Sequence, residues 1–197
     1  DREKVVEEVG TAGGDTPVML GIQRRTDGQY HNSAIVLQGS NVPAQIYDKA
    51  HLVPFGEYIP AGNLMARFGV HGFASQAGAG YAAGPGPRLL DLPVGKALPL
   101  ICYEAVFPQD VNAAPGRADL LIQITNDAWF GTYSGPYQHL VQARMRAIEQ
   151  GLPMARVANT GISAMIDPYG RILDALPLGV AGYLAVALPA PLPRTLY

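Results

Sequence analysis

Cysteine is almost absent: Cys102 is the only one in 197 residues. No internal disulfide can form, so no disulfide framework carries the fold, and cysteine usage does not reveal the compartment. Charge is scarce as well. Asp, Glu, Lys and Arg make up 15% of the chain, against roughly a quarter of an average soluble domain. There is no basic run and the net charge is −2, which argues against a nucleic-acid partner. No stretch reaches the roughly 18 consecutive apolar residues of a membrane span. There is no initiator methionine and no signal peptide. The chain opens on Asp1-Arg2-Glu3-Lys4 and closes on Arg194-Thr195-Leu196-Tyr197, so both ends read as cut.

What is present is apolar and loop-rich. Hydrophobic residues are 48% of the chain, which excludes wholesale disorder, and 23 glycines and 17 prolines punctuate it. The length suits one domain with a real core. Residues 1–9 read as the tail of a solvated helix capped by Gly10. Residues 17–22 and 31–37 read as strands joined by the turn Thr26-Asp27-Gly28, a hairpin. Asn32 and Ser33 read as polar residues at a strand start with no catalytic role. Further strands are predicted at 88–92, 96–102, 119–125, 154–158, 163–166, 171–176 and 183–188, with a turn at Asp167-Pro168-Tyr169-Gly170. A helix is predicted over 137–150, where Val141, Met145, Ile148 and Leu152 fall at helical spacing and Gly151 closes it. Its Arg144 and Arg146 read as ion-paired supports. The pattern is a sheet with helices on its outer faces.

Four stretches carry chemical interest. The run Leu98-Pro99-Leu100-Ile101 ends in Cys102, with Glu104 two positions on. A cysteine at the C-terminal end of a buried strand stands where α/β folds place chemistry, although a lone cysteine is as readily a small buried apolar side chain. Between 46 and 60, Pro54, Gly56 and Pro60 forbid regular structure and hold Lys49, His51 and Glu57 on an irregular path. Residues 61–86 set Leu64, Met65, Phe68, Val70 and Phe73 among small residues, the composition of a lid, a binding loop or a loop folded on its own core. The strand at 119–125 runs into Asn126-Asp127-Ala128-Trp129-Phe130-Gly131, a polar and aromatic loop.

Lys49 within Tyr47-Asp48-Lys49-Ala50-His51, Cys102 within Ile101-Cys102-Tyr103-Glu104, and the 126–131 loop together resemble the nitrilase (carbon–nitrogen hydrolase) superfamily. The segments His51-Leu52-Val53-Pro54-Phe55-Gly56-Glu57-Tyr58-Ile59-Pro60, Gly135-Pro136-Tyr137-Gln138-His139, Ala143-Arg144-Met145-Arg146-Ala147 and Asn159-Thr160-Gly161-Ile162-Ser163 are similar to the apolipoprotein N-acyltransferase family. The resemblance runs from about Pro17 to Ala190. It implies a nitrilase-like αββα sandwich, one catalytic domain over 1–197 that is incomplete at its N-terminus. It also implies a family of the bacterial inner membrane with this domain on the periplasmic face, and no metal or organic cofactor. The implied reaction moves a fatty acyl chain from a phospholipid donor to the N-terminal amine of a diacylglyceryl-cysteine lipoprotein. The flanking membrane helices and the family's catalytic glutamate have no counterpart here. Glu3, Glu7 and Glu8 lie in a charged helical run and do not match that motif.

On this resemblance Cys102 is the nucleophile, Lys49 favours its thiolate and the oxyanion, and Glu57 is a second acid that orients Lys49 or stabilises the intermediate. Tyr103, Glu104 and Trp129 support the site, with Trp129 walling it. Leu64, Met65, Phe68 and Phe73 face lipid or lid the site. His51 and His139 read as structural hydrogen-bonding residues in place of a Cys–His pair. Two rivals stay open: a soluble nitrilase-type amidase acting on a small C–N bond, and a catalytically incomplete fragment that only binds lipid.

Overall fold

The computed structural model describes residues 2–39, 42–60 and 80–197. The chain divides into two units, Asp1–Gly86 and Pro87–Tyr197. Leu64, Met65, Phe68 and Phe73 lie outside the described residues.

In the first unit, helix α1 spans Arg2–Gly13. It runs past the expected cap: Gly10 is buried within the helix, and Gly14, at φ 53°, takes the left-handed position instead. Strands β1 (Val18–Thr26) and β2 (Gln29–Leu37) form the expected antiparallel hairpin. Asp27 and Gly28 both have positive φ, 51° and 80°, as a two-residue turn matched to strand twist requires. Strand β3 (Pro43–Asp48) joins the other edge of β2, so the sheet order is β1-β2-β3. The register sets Ser33 opposite Asp48 and Ala34 opposite Tyr47. Residues 33–37 of β2 are all buried.

The second unit holds a six-stranded sheet in simple sequence order: β4 (Leu90–Leu92), β5 (Gly95–Ile101), β6 (Leu120–Asn126), β7 (Met154–Asn159), β8 (Ser163–Ile166) and β9 (Ile172–Leu176). Strands β5, β6 and β7 are parallel and the outer pairings are antiparallel. The last five residues of β5, Ala97 to Ile101, are buried in succession, the signature of a strand covered on both faces. That composition is why the apolar run around Leu98 was legible as a strand. The parallel register aligns Ile101 with Ile124 and Asn126 with Asn159, so three strand ends finish along one edge. A 3-10 turn, Cys102–Val106, follows β5 and leads into the short helix α2 (Pro108–Asn112).

Helix α3 spans Ser134–Gln150, and Gly151, at φ 61°, closes it in the left-handed conformation. The helix is where the spacing placed it, but its buried face is another one. Pro136, His139, Leu140, Ala143, Arg146 and Ala147 are buried, whereas Val141, Met145 and Ile148 are exposed. The small side chains of Ala143 and Ala147 let the helix approach a core that includes Leu98, Leu121, Met154 and Ile166. Of its arginines, Arg146 makes the expected ion pair, reaching both oxygens of Glu149 at 2.6 Å. Arg144 instead donates to the Gly170 carbonyl at 2.6 Å. The turn at 167–170 is present, with the Gly170 amide donating to the Asp167 carbonyl at 2.9 Å. Residues 183–188 form no strand. Leu184, Val186 and Leu188 are half-buried between more exposed neighbours, a period-2 pattern without a ladder among the described residues. Among the described residues no helix is long and apolar enough to cross a membrane.

Candidate active site

The candidate residues fall into two groups, one in each unit. In the first unit, Lys49 follows the last residue of β3, and its amide donates to the Asn32 carbonyl at 2.8 Å. Its side chain is fully buried, with Nζ 2.7 Å from Glu57 Oε2. The segment from Val53 to Glu57 is a tight turn: the Glu57 amide donates to the Val53 carbonyl at 2.8 Å, and Phe55 sits at φ 61°. The turn folds the Glu57 carboxylate back onto its own start, where Oε2 also accepts the Val53 amide at 2.8 Å. Glu57 Oε1 accepts Asn32 Nδ2 at 3.0 Å. An ammonium and two neutral donors thus satisfy one buried carboxylate, which is what a buried ion pair requires.

Asn32 is therefore more than a residue at a strand start. Its amide orients the Glu57 carboxylate, and Ser33 beside it donates to Asp48 Oδ1 at 2.5 Å. Asp48 Oδ2 receives Arg24 at 2.7 Å. The signal in the sequence was faint: two polar residues ahead of the apolar run of β2, with nothing to reveal that the β2–β3 register faces them toward Asp48 and the Lys49 turn.

In the second unit, Cys102 is one residue past β5 and not its last residue. It sits at φ 51°, in the left-handed region that a non-glycine residue rarely adopts. The chain turns sharply there, and the residue is half-buried. Glu104 is buried and its Oε2 accepts the Ile101 amide at 2.7 Å, tying the turn back onto the strand it leaves. Tyr103 stacks edge-on against Phe107, with ring centroids 4.7 Å apart. Both flanking residues build the turn that presents Cys102.

Beneath that turn lies a buried polar network that joins His139 and Asp127 to Gln123 and Arg156. Gln123, in the middle of β6, donates from Nε2 to the Cys102 carbonyl at 3.2 Å. The same nitrogen lies 3.0 Å from His139 Nε2. Arg156, opposite Gln123 in the β6–β7 register, donates to Gln123 Oε1, to Asp127 Oδ2 at 2.5 Å and to the Ile162 carbonyl at 3.1 Å. Asp127 Oδ1 accepts from Thr125 Oγ1 and lies against His139 Nδ1, both at 2.9 Å. Gln123, Asp127, His139 and Arg156 are all buried. Burial would raise the Asp127 carboxyl, but its hydrogen bond with His139 and the charge of Arg156 outweigh it and hold the group below the usual carboxylate range. Burial pulls Arg156 below its ordinary value, partly offset by Asp127. A guanidinium so lowered is still a cation. The overlooked signal was a glutamine inside Leu120-Leu121-Ile122-Gln123-Ile124 and an arginine inside Met154-Ala155-Arg156-Val157. A polar side chain in an apolar strand demands a buried partner.

His139 makes the hydrogen bonds expected of it, its ring being bonded to Asp127 and Gln123. Trp129 stands on the 3-10 turn Asp127–Phe130 and is 71% exposed, so it is not a core side chain. Among the described residues no group of three His, Cys, Asp or Glu side chains is arranged to hold a metal ion.

The model of the carbon-nitrogen hydrolase family matches residues 14–194. The apolipoprotein N-acyltransferases of Rhodopseudomonas palustris and Bradyrhizobium diazoefficiens are each 50% identical to the chain over 168 residues, 85% of this chain and 31% of theirs. That of Brucella melitensis is 40% identical over 188 residues, 95% of this chain and 33% of its own. The chain thus spans about a third of the length of the curated relatives it matches. Among solved structures, a carbon-nitrogen hydrolase from Helicobacter pylori superposes with a TM-score of 0.64 at 17% identity, covering 89% of this chain and 61% of that one. An amidase from Nesterenkonia superposes with a TM-score of 0.63 at 19% identity, covering 89% and 63%. The fold is nitrilase-like, and with a family match that takes in both the Lys49–Glu57 pair and the Cys102 turn, the chain belongs to the carbon–nitrogen hydrolase family.

Proposed function

We propose that the chain is the catalytic domain of an apolipoprotein N-acyltransferase, working at the periplasmic face of a bacterial inner membrane. The observation that carries the reading is the 50% identity to enzymes of that name. In this reading the Cys102 thiolate attacks the ester carbonyl of a phospholipid. A C–S bond forms, the ester C–O bond breaks, and the lysophospholipid leaves with a proton. The N-terminal amine of a diacylglyceryl-cysteine lipoprotein then attacks the thioester, so a C–N bond forms, the C–S bond breaks and the amine gives up a proton.

Lys49 supplies a positive charge for the oxyanion of each tetrahedral intermediate, and Glu57 keeps the ammonium oriented. Tyr103 and Glu104 hold the nucleophile's turn. Trp129, exposed on the 3-10 turn after β6, supplies apolar surface to the substrate. Leu64, Met65, Phe68 and Phe73 are the lipid-contacting side chains of this reading. Replacing Phe68 and Phe73 together by Ser is expected to abolish acyl transfer from vesicles in the full-length protein while leaving Cys102 reactive to a small thiol reagent.

A small-amide hydrolase is the second reading. A mutant of the Nesterenkonia amidase of like fold carries the acetamide moiety of fluoroacetamide on its active-site cysteine, and the same thiol chemistry would serve a small C–N bond. Intact mass after incubation with phospholipid vesicles separates the two. An acyl increment on Cys102, removed by neutral hydroxylamine, supports the acyltransferase. Ammonia release from small amides with no phospholipid-derived adduct supports the amidase. Lipid binding with no adduct under any condition leaves a lipid-binding domain. An adduct seen only in a longer protein would place the general base outside residues 1–197.

A further inference from the structure

The Cys102 backbone is strained, and the structure shows what restrains it. A non-glycine residue seldom adopts the left-handed region, and Cys102 sits there at φ 51°. The residue is held on both sides. Ahead of it, the Ile101 amide is bound by Glu104 at 2.7 Å. At Cys102 itself, the carbonyl accepts Gln123 Nε2 at 3.2 Å.

The direction of the Gln123 amide is not free. A guanidinium only donates, so Arg156 against one end of the amide selects the oxygen for that end. The nitrogen must then face Cys102 and His139. Its two hydrogens are spent on the Cys102 carbonyl and on His139 Nε2, 3.0 Å away. His139 Nε2 is thereby an acceptor, and its Nδ1–H donates to Asp127 Oδ1 at 2.9 Å. Nε2 also lies 3.2 Å from the Cys102 carbonyl, but as an acceptor it offers no hydrogen, so of these two side chains only Gln123 holds that oxygen. Arg156 is fixed in turn by Asp127 and the Ile162 carbonyl, and its charge attracts an ionised Cys102.

We propose that Gln123 is a positioning residue for Cys102: oriented by Arg156, its amide pins the nucleophile's carbonyl and so sets the line along which the thiolate meets an acyl carbon. An apolar side chain would fill the same volume in β6 without this bond. The proposal rests on Cys102 being the acylated thiol, but not on the identity of the acyl donor or acceptor.

The test uses p-nitrophenyl acetate, which acylates a cysteine without a membrane: the thiolate forms the C–S bond and p-nitrophenolate leaves with the ester electron pair. The burst is measured in the full-length protein, in Gln123→Met and in Gln123→Glu, with melting temperature as the fold control. Gln123→Met keeps the volume and loses every hydrogen bond. Gln123→Glu keeps an acceptor for Arg156 but, as a carboxylate, has no hydrogen for Cys102. Both are expected to lower the burst rate constant at saturating ester by roughly ten- to a hundredfold with KM near that of the parent, and Gln123→Met, which adds no charge, is expected to keep the parent's pH midpoint of iodoacetamide alkylation. A folded Gln123→Glu protein with the parent's burst rate overturns the proposal and leaves Gln123 a packing residue. Absence of a Cys102-dependent burst in the parent overturns the reading of Cys102 on which the proposal rests.

Discussion

At the scale of single residues, the buried Lys49–Glu57 pair is sensitive to mutation. Each side chain is buried, and they meet at 2.7 Å. Removing one partner of a buried pair strands the other charge and costs about 3–5 kcal/mol. Glu57→Gln keeps the shape and two of the donors' partners but leaves the Lys49 ammonium without its counter-charge. It is expected to destabilise by about 3 kcal/mol in urea unfolding and to stop thioester formation. Asn32→Ala, which removes one neutral hydrogen bond to Glu57, is expected to cost about 1 kcal/mol and to slow thioester formation without abolishing it. Equal losses in the two variants would show that the pair is not the center of that turn's stability.

At the scale of elements, helix α3 and the loop after β7 make opposite demands. The outer face of α3 tolerates change. Val141, Met145 and Ile148 are about half exposed, so polar replacements there are expected to shift stability by about 0.5 kcal/mol or less. Its inner face does not. Ala143 and Ala147 have no exposed surface, and Ala143→Leu is expected to cost about 1–3 kcal/mol by overpacking. A stability scan of both faces by thermal melting checks the assignment. In the loop after β7, a Cβ on Gly161 would sit 2.4 Å from Asp127 Oδ2. Gly161→Ala must therefore push the Asp127 carboxylate off Arg156. The loss of a charge-assisted hydrogen bond predicts about 2 kcal/mol of destabilisation, read in the same melts.

At the scale of the whole molecule, the buried network ties stability to pH. The folded Asp127 carboxyl lies below its ordinary value of 3.8, through its hydrogen bond with His139 and the Arg156 charge acting against burial. Asp167 is lowered too, against burial, by the Arg171 and Tyr169 amides and the Arg171 side chain. A carboxylate with a depressed folded pKa binds fewer protons in the folded than in the unfolded state. Its stabilising contribution is present above the unfolded value and is lost as pH falls through the folded one. Unfolding free energy is therefore expected to drop on acidification below about pH 4. Asp127→Asn is expected to flatten that limb while lowering stability at neutral pH, as shown by urea titrations from acid to neutral conditions.

The sequence by itself determined the hairpin turn, helix α3 with its glycine stop, and every strand but β3, which occupies Pro43–Asp48, because each depends on local apolar runs, backbone preferences and glycine placement. It also determined the family, because the segments around Lys49, Glu57 and Cys102 are contiguous in the chain. Only the tertiary structure decided which face of α3 is buried, since Val141 and Met145 have the right period and small alanines lie on the other side. It likewise decided that residues 183–188 form no ladder, because a strand requires a partner and alternation alone does not supply one. Gln123, Asp127, His139 and Arg156 are spread over more than thirty positions and become one network only when β6 and β7 lie side by side and α3 folds against them. Contacts of that kind arise from sheet register and packing, which no single stretch of the chain encodes.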